Sequence, residues 1–294
     1  MDIRVKGSIV ALITPFNEDG SVALDRLGEL IEWHIASKTD AILVLGTTGE
    51  SSTMTDEEDN MVCEYTVKKV AGRVPVIAGS GSNCTQTMLD KSLSYQKLGA
   101  DGLLLISPYY NKTNTEGMYR HFSTVADAVD IPCILYNVPG RTGCAIPLSV
   151  LERLSRHPNV AGLKEASGDL SYAVKAARYL SDDFVMYSGN DDIIVPLMSM
   201  GAYGVISVLA NVVPAETHEL TARFHAGDCA GARALQLQYL ELINNLFIEV
   251  NPIPVKTAVK LLGKDIGRLR QPLWEMSAEN EAKLRSAMES VGLL

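Results

Sequence analysis

The sequence predicts a (β/α)8 TIM barrel followed by a C-terminal helical appendage, and three observations carry that expectation. Short apolar runs recur eight times between residues 8 and 207, each followed by a turn and a segment of helical period. The runs lack clean apolar/polar alternation, as expected of strands covered on both faces. No Gly-x-Gly-x-x-Gly follows the first run; Pro15-Phe16-Asn17 comes after Thr14, which disfavours an open, doubly wound sheet. A chain of 294 residues accommodates a barrel of about 250 residues with a small remainder.

The candidate strands are 8–14, 41–45, 76–78, 102–105, 133–136, 160–164, 184–187 and 204–207. Thr55-Asp56-Glu57-Glu58 reads as a capping box ahead of the apolar positions Met61, Val62 and Tyr65. Thr85 opens another helix, with Met88, Leu89, Leu93 and Leu98 as its apolar stripe. Gly72, Gly99 and Gly201 stand where helices should stop, just before the next strand. From about Pro214 the pattern is wholly helical, over 216–226, 229–247, 255–262 and 278–291. The first of these completes the barrel as its eighth helix. The expected organisation is a catalytic barrel over 1–226 and a helical region over 227–294, without internal repeats or linkers.

The composition, 47% hydrophobic and 21% charged, is that of a globular chain. A net charge of −9 without any Lys/Arg cluster argues against a nucleic-acid partner. The N-terminal residues lack the apolar core of a signal peptide, and no apolar run is long enough for a bilayer, so no membrane association and a cytoplasmic location are expected. Cys63, Cys84, Cys133, Cys144 and Cys229 are scattered, odd in number and without Cys-x-x-Cys, which suits reduced thiols. Cys144 lies near a candidate loop but reads as a packing thiol. The five histidines show no ligand spacing, so no metal is expected.

In this fold, chemistry gathers at the C-terminal ends of the strands. The sixth run, Val160-Ala161-Gly162-Leu163-Lys164, ends in a lysine. A period of two places Gly162 and Lys164 on one face, where the glycine leaves room below the amine. Burial there lowers the pKa of the ammonium and supplies a neutral amine able to form a Schiff base with a carbonyl substrate. The plainer alternative is a lysine that snorkels to water. After the second strand, Gly46-Thr47-Thr48-Gly49-Glu50-Ser51 offers N–H groups and hydroxyls for a carboxylate, although an ordinary capped turn has the same composition. Tyr136 ends the fifth strand and should face inward with Ile134. Tyr110 follows the fourth strand, and Arg141 sits in a glycine-flanked loop after the fifth. Thr47, Tyr110, Tyr136, Arg141 and Lys164 thus converge on one mouth, where a lysine nucleophile needs hydroxyls for proton transfer and a cation for an acid substrate.

Gly46-Thr47-Thr48-Gly49-Glu50, Tyr136-Asn137-Val138-Pro139-Gly140-Arg141-Thr142-Gly143 and Gly162-Leu163-Lys164-Glu165-Ala166 closely resemble the dihydrodipicolinate synthase (4-hydroxy-tetrahydrodipicolinate synthase) family. So do Ser188-Gly189-Asn190-Asp191, Gly204-Val205-Ile206-Ser207 and Asn251-Pro252-Ile253-Pro254-Val255-Lys256. The resemblance spans essentially the whole chain. The wider Schiff-base class I aldolase family includes N-acetylneuraminate lyase and 2-keto-3-deoxy sugar-acid aldolases, which share the lysine and the strand-five tyrosine. Arg141, at the position the synthases use for the second substrate's carboxylate, separates this chain from them.

The resemblance implies condensation of pyruvate with L-aspartate 4-semialdehyde, on the route to lysine and diaminopimelate, without a cofactor. Lys164 would form the imine, Thr48 would hold the pyruvate carboxylate, and Arg141 would position the aldehyde substrate. Tyr136 would relay protons through Thr47 to Tyr110 of a neighbouring subunit, in a homotetramer built as a dimer of dimers. Gly189 and Ile206 would be pocket walls, and Glu165 a structural residue of the outer layer. Strongly lysine-inhibited relatives of Gram-negative type place histidines where this chain has Asp56 and Asp59, and a glutamate where it has Thr87, while Ser51, Asn83 and Tyr109 are kept. The aspartates add negative charge that opposes the ligand's carboxylate, so feedback by L-lysine is expected to be weak or absent.

Overall fold

The computed structural model describes residues 1–294. Eight parallel strands close on themselves: β1 (Gly7–Ala11), β2 (Ala41–Val44), β3 (Val76–Gly79), β4 (Gly102–Ile106), β5 (Cys133–Asn137), β6 (Val160–Glu165), β7 (Val185–Ser188) and β8 (Gly204–Ser207). Each strand pairs with the next, and β8 returns to β1 through Gly7–Gly204 to Val10–Ser207. The helices α1 (Leu24–Ala36), α2 (Asp56–Val70), α3 (Thr85–Lys97), α4 (Thr115–Ala128), α5 (Pro139–Thr142) and α6 (Leu148–Leu154) lie between β1 and β6. α7 (Leu170–Ala176) and α8 (Ile194–Ser199) follow β6 and β7, and α9 (Pro214–His225) completes the barrel. The chain then runs through α10 (Cys229–Gln238), α11 (Leu240–Asn245), α12 (Ile253–Leu261) and α13 (Ala278–Ser290).

Two apolar cores explain the unalternating strand sequences. Ala41 and Leu43 of β2 pack inside the barrel with Ile134, Val185 and Ile206, whereas Ile42 and Val44 pack outward against the helices. Both faces are therefore apolar, as a sheet covered on both sides requires. Ile3 closes the lower end: it is fully buried, and the Tyr187 hydroxyl reaches the carbonyls of Ile3 and Val5 at 3.1 and 3.0 Å. The capping box at Thr55 is present, with the Glu58 carboxylate accepting from Thr55 N at 3.0 Å and Thr55 Oγ1 accepting from Glu58 N at 3.3 Å. Gly72, Gly99 and Gly201 all take positive φ at helix ends.

Four local expectations need correction. The first strand ends at Ala11 instead of continuing to Thr14, because side chains take over the ladder. Asn211 Oδ1 accepts from Ile13 N at 3.1 Å, and Thr14 Oγ1 donates to the Gly49 carbonyl at 2.7 Å. The expected helix 229–247 is two helices, α10 and α11, hinged at Tyr239, whose φ and ψ are −94° and 2°. Leu93 is 41% exposed instead of completing the buried stripe of α3. Finally, β6 carries one extra residue opposite β5: Cys133 faces Val160 while Ile134 faces Gly162. A Cβ on Gly162 would lie 2.5 Å from the Val185 carbonyl oxygen, so this glycine permits close approach of β7 and does not make room for the lysine.

Candidate active site

Lys164 occupies the end of β6, in register with Tyr136 of β5 and Tyr187 of β7. Only 6% of it is exposed. Burial is the main force on its ammonium, pulling the pKa down to about 8; the Asp191 carboxylate opposes that shift and Arg141 adds to it. The room around its side chain comes from Gly189: a Cβ there would fall 3.1 Å from Lys164 Cε and 2.6 Å from the Ala166 methyl. The ammonium lies 4.3 Å from the centre of the Tyr136 ring. Burial raises the Tyr136 phenol to about 12, with Arg141 pulling the other way, so the group is a proton donor near neutral pH.

A cavity of about 320 Å³ opens over this lysine, lined by Thr47, Thr48, Tyr136, Arg141, Lys164 and Gly189 among others. Six of the eight candidate residues thus meet in one place. Ile206 does not line the cavity; it lies in the barrel interior, and Val208 forms that part of the wall. Tyr110 is also absent from the lining. It projects into solvent, 91% exposed, on a left-handed backbone with φ of 68°.

Side chains that sequence reasoning gave no role complete the wall. Asp191, 2% exposed, accepts through Oδ2 from the N–H groups of Val208 and Leu209, each at 2.9 Å, and so joins the loops after β7 and β8. Asn251 donates through Nδ2 to Thr48 Oγ1 at 2.9 Å, and its backbone carbonyl accepts from Arg141 Nη2 at 3.3 Å. Asp191 had a signal, since it follows a strand end. Asn251 had none of that kind, because it comes from the C-terminal region and reaches the mouth by tertiary packing. Glu165 faces outward as expected: it accepts from Asn137 Nδ2 at 2.7 Å and from Ser167 N at 2.7 Å, and burial raises its carboxyl pKa.

A second cavity, of about 440 Å³, meets the first at Gly46, Thr47, Tyr136 and Arg141 and extends past Ser51, Asp56, Thr87, Lys91 and Tyr109. Most of the expected feedback positions therefore share one space. The negative charge that Asp56 and Asp59 bring there is answered by Lys91, whose Nζ lies 2.5 Å from Asp59 Oδ2 and 3.2 Å from Asp56 Oδ1. No group of three or more His, Cys, Asp or Glu side chains is placed to hold a metal ion. Cys144 Sγ donates to the Pro108 carbonyl at 3.2 Å, a packing contact.

A closed parallel barrel with a buried, pKa-depressed lysine at its C-terminal mouth defines a class, the barrel enzymes that engage carbonyl substrates through a lysine amine. Within that class the chain belongs to the dihydrodipicolinate synthetase family, whose sequence model matches residues 4–291. It is 54% identical over 291 residues to the 4-hydroxy-tetrahydrodipicolinate synthase of Thermoanaerobacter sp. (strain X514), covering 98% of this chain and 97% of the relative. The crystal structure of dihydrodipicolinate synthase from Aquifex aeolicus superposes with a TM-score of 0.95 at 46% identity, covering 98% of each chain. The chloride-inhibited dihydrodipicolinate synthase from Acinetobacter baumannii, solved with pyruvate, superposes with a TM-score of 0.96 at 40% identity over 99% of this chain and all of the other.

Proposed function

We propose that this chain is a 4-hydroxy-tetrahydrodipicolinate synthase, a lyase that joins pyruvate to L-aspartate 4-semialdehyde in lysine and diaminopimelate biosynthesis. The observation that carries this reading is Lys164, an almost fully buried amine with a pKa near 8, facing a cavity that also presents Thr48, Tyr136 and Arg141. The neutral Lys164 amine attacks the ketone carbon of pyruvate, and the resulting carbinolamine loses water to give a protonated imine. The imine is an electron sink, so a methyl proton can leave and an enamine forms. Its carbon attacks the aldehyde, making the new C–C bond while the aldehyde oxygen takes up a proton. The second substrate's amino group then attacks the imine carbon, closing the six-membered ring and releasing Lys164.

The remaining residues serve that sequence. Thr48 accepts a hydrogen bond from Asn251, which leaves its own O–H hydrogen free for the pyruvate carboxylate. Arg141 supplies the cation for the aldehyde substrate's carboxylate. Tyr136 donates and recovers protons beside Lys164, with Thr47 next in the relay. Gly189 is the wall that gives the Lys164 side chain room, and Ile206 supports the lining from below. Tyr110 extends from one subunit to complete the relay of its neighbour, in a dimer paired into a tetramer. No helix is long and apolar enough to cross a membrane, and a cytoplasmic location suits a chain acting on small, soluble metabolites. A coupled assay with pyruvate and L-aspartate 4-semialdehyde tests the reading. Turnover that needs both substrates is expected; turnover of N-acetylneuraminate or a 2-keto-3-deoxy sugar acid in its place would overturn it.

A further inference from the structure

The GTTGE turn ends in a residue whose surroundings are unusual. Glu50 is a non-glycine residue in the left-handed region, with φ of 57°, and its side chain is fully buried. Both carboxylate oxygens are taken by the C-terminal part of the chain. Oε1 accepts from Lys256 Nζ at 2.5 Å, and Oε2 accepts from the backbone N–H of Arg270 at 3.0 Å. Lys256 is itself only 1% exposed; its ammonium also donates to the Arg268 carbonyl at 3.1 Å and lies 4.5 Å from the centre of the Phe16 ring. None of these groups lines the cavity above Lys164.

A buried ion pair is a poor source of net stability, because the cost of desolvating both ions rivals their attraction. What such a pair does well is fix one arrangement of the elements that carry it. Here those elements are the turn that bears Thr47 and Thr48 and the first turns of α12. Asn251 stands two residues before α12, and its two polar contacts run to Thr48 Oγ1 and to Arg141 Nη2. The side-chain amide sets which way the Thr48 hydroxyl can donate, and the backbone carbonyl limits the swing of the Arg141 side chain.

We propose that Glu50 and Lys256 are positioning residues for the reaction, locking α12 against the Thr47–Thr48 turn so that Asn251 aligns both substrate subsites together. The inference rests on the reading of Thr48 and Arg141 as the two carboxylate-binding groups. It differs from a purely structural role in a measurable way. The pair touches neither Lys164 nor Tyr136, so loosening it impairs binding of both substrates more than the covalent steps, in which only Thr47 of that turn takes part.

The test compares the wild-type protein with Glu50→Gln and with the double variant Glu50→Gln/Lys256→Met, which removes both charges and keeps similar volume. For each, the Michaelis constants for pyruvate and for L-aspartate 4-semialdehyde are measured with kcat and a thermal midpoint. We expect both Michaelis constants to rise by about tenfold in the folded double variant, with a clearly smaller fall in kcat. Glu50→Gln, which keeps one of the two bonds, should show a smaller rise in the same direction. Should the double variant fail to fold, Glu50→Gln alone carries the comparison. A folded variant with a lowered midpoint and both Michaelis constants unchanged would overturn the proposal, as would a rise confined to one substrate. Failure of the wild-type protein to turn over the two substrates would instead refute the proposed function, and this inference with it.

Discussion

Lys164 sits under two opposing influences. Burial disfavours its charge while Asp191 favours it, and burial wins, leaving the pKa near 8. The folded-state value is depressed for a base, so the neutral nucleophile grows as pH rises and saturates above the folded pKa. Roughly a tenth of the amine is neutral at pH 7, against well under a thousandth for a lysine at its ordinary value. The rate of pyruvate adduct formation should therefore rise about tenfold per pH unit below pH 7 and level off above about pH 8. A stopped-flow or quench series from pH 6 to 10 checks this, and a rate still climbing towards pH 10 would contradict it. The lysine and its tyrosine were legible in the sequence because strand ends carry function in this fold. Gly189's part was not, since the gap it leaves depends on how close β7 comes to β6, and Gly162 looked the better candidate from alternation alone.

The strand and helix order of the barrel could be read from periodicity, caps and terminal glycines. The end of its first strand could not, because Asn211, far off in the sequence, takes the Ile13 N–H; the ties between later elements also come from distant side chains. Gln236 donates to the Asp191 carbonyl at 2.7 Å and accepts from Val195 N at 3.3 Å, pinning α10 beside the loop that leads into α8. The N-terminal turn of α2 shows the same limit. Asp56 and Asp59 suit a helix start, but the cation that answers them, Lys91, comes from α3. For an amino-acid effector in the second cavity, Lys91 is already engaged by the two aspartates, and Thr87 offers the effector's ammonium no charge. Inhibition by L-lysine should accordingly be weak or absent. A dose–response curve at fixed substrate decides the matter, and half-inhibition at submillimolar L-lysine would contradict it.

The helical region after α9 is joined to the barrel by buried polar contacts, Lys256 with Glu50 and Asn251 with Thr48. We propose that the division into 1–226 and 227–294 is one of topology, with the second part holding the site of the first. Tyr110 makes the corresponding point about assembly: a largely solvated aromatic on a left-handed backbone packs against little within its own chain. In a dimer that completes the relay, activity should fall on dilution together with the dimer seen by light scattering; a fully active monomer would remove Tyr110 from the mechanism. All of this depends on one covalent bond. Treating the intact protein with pyruvate and borohydride, then mapping peptides by mass spectrometry, should place a reduced three-carbon adduct on Lys164 alone, and Lys164→Arg should abolish it because the guanidinium stays protonated. An adduct on any other lysine, or none, would contradict the mechanism.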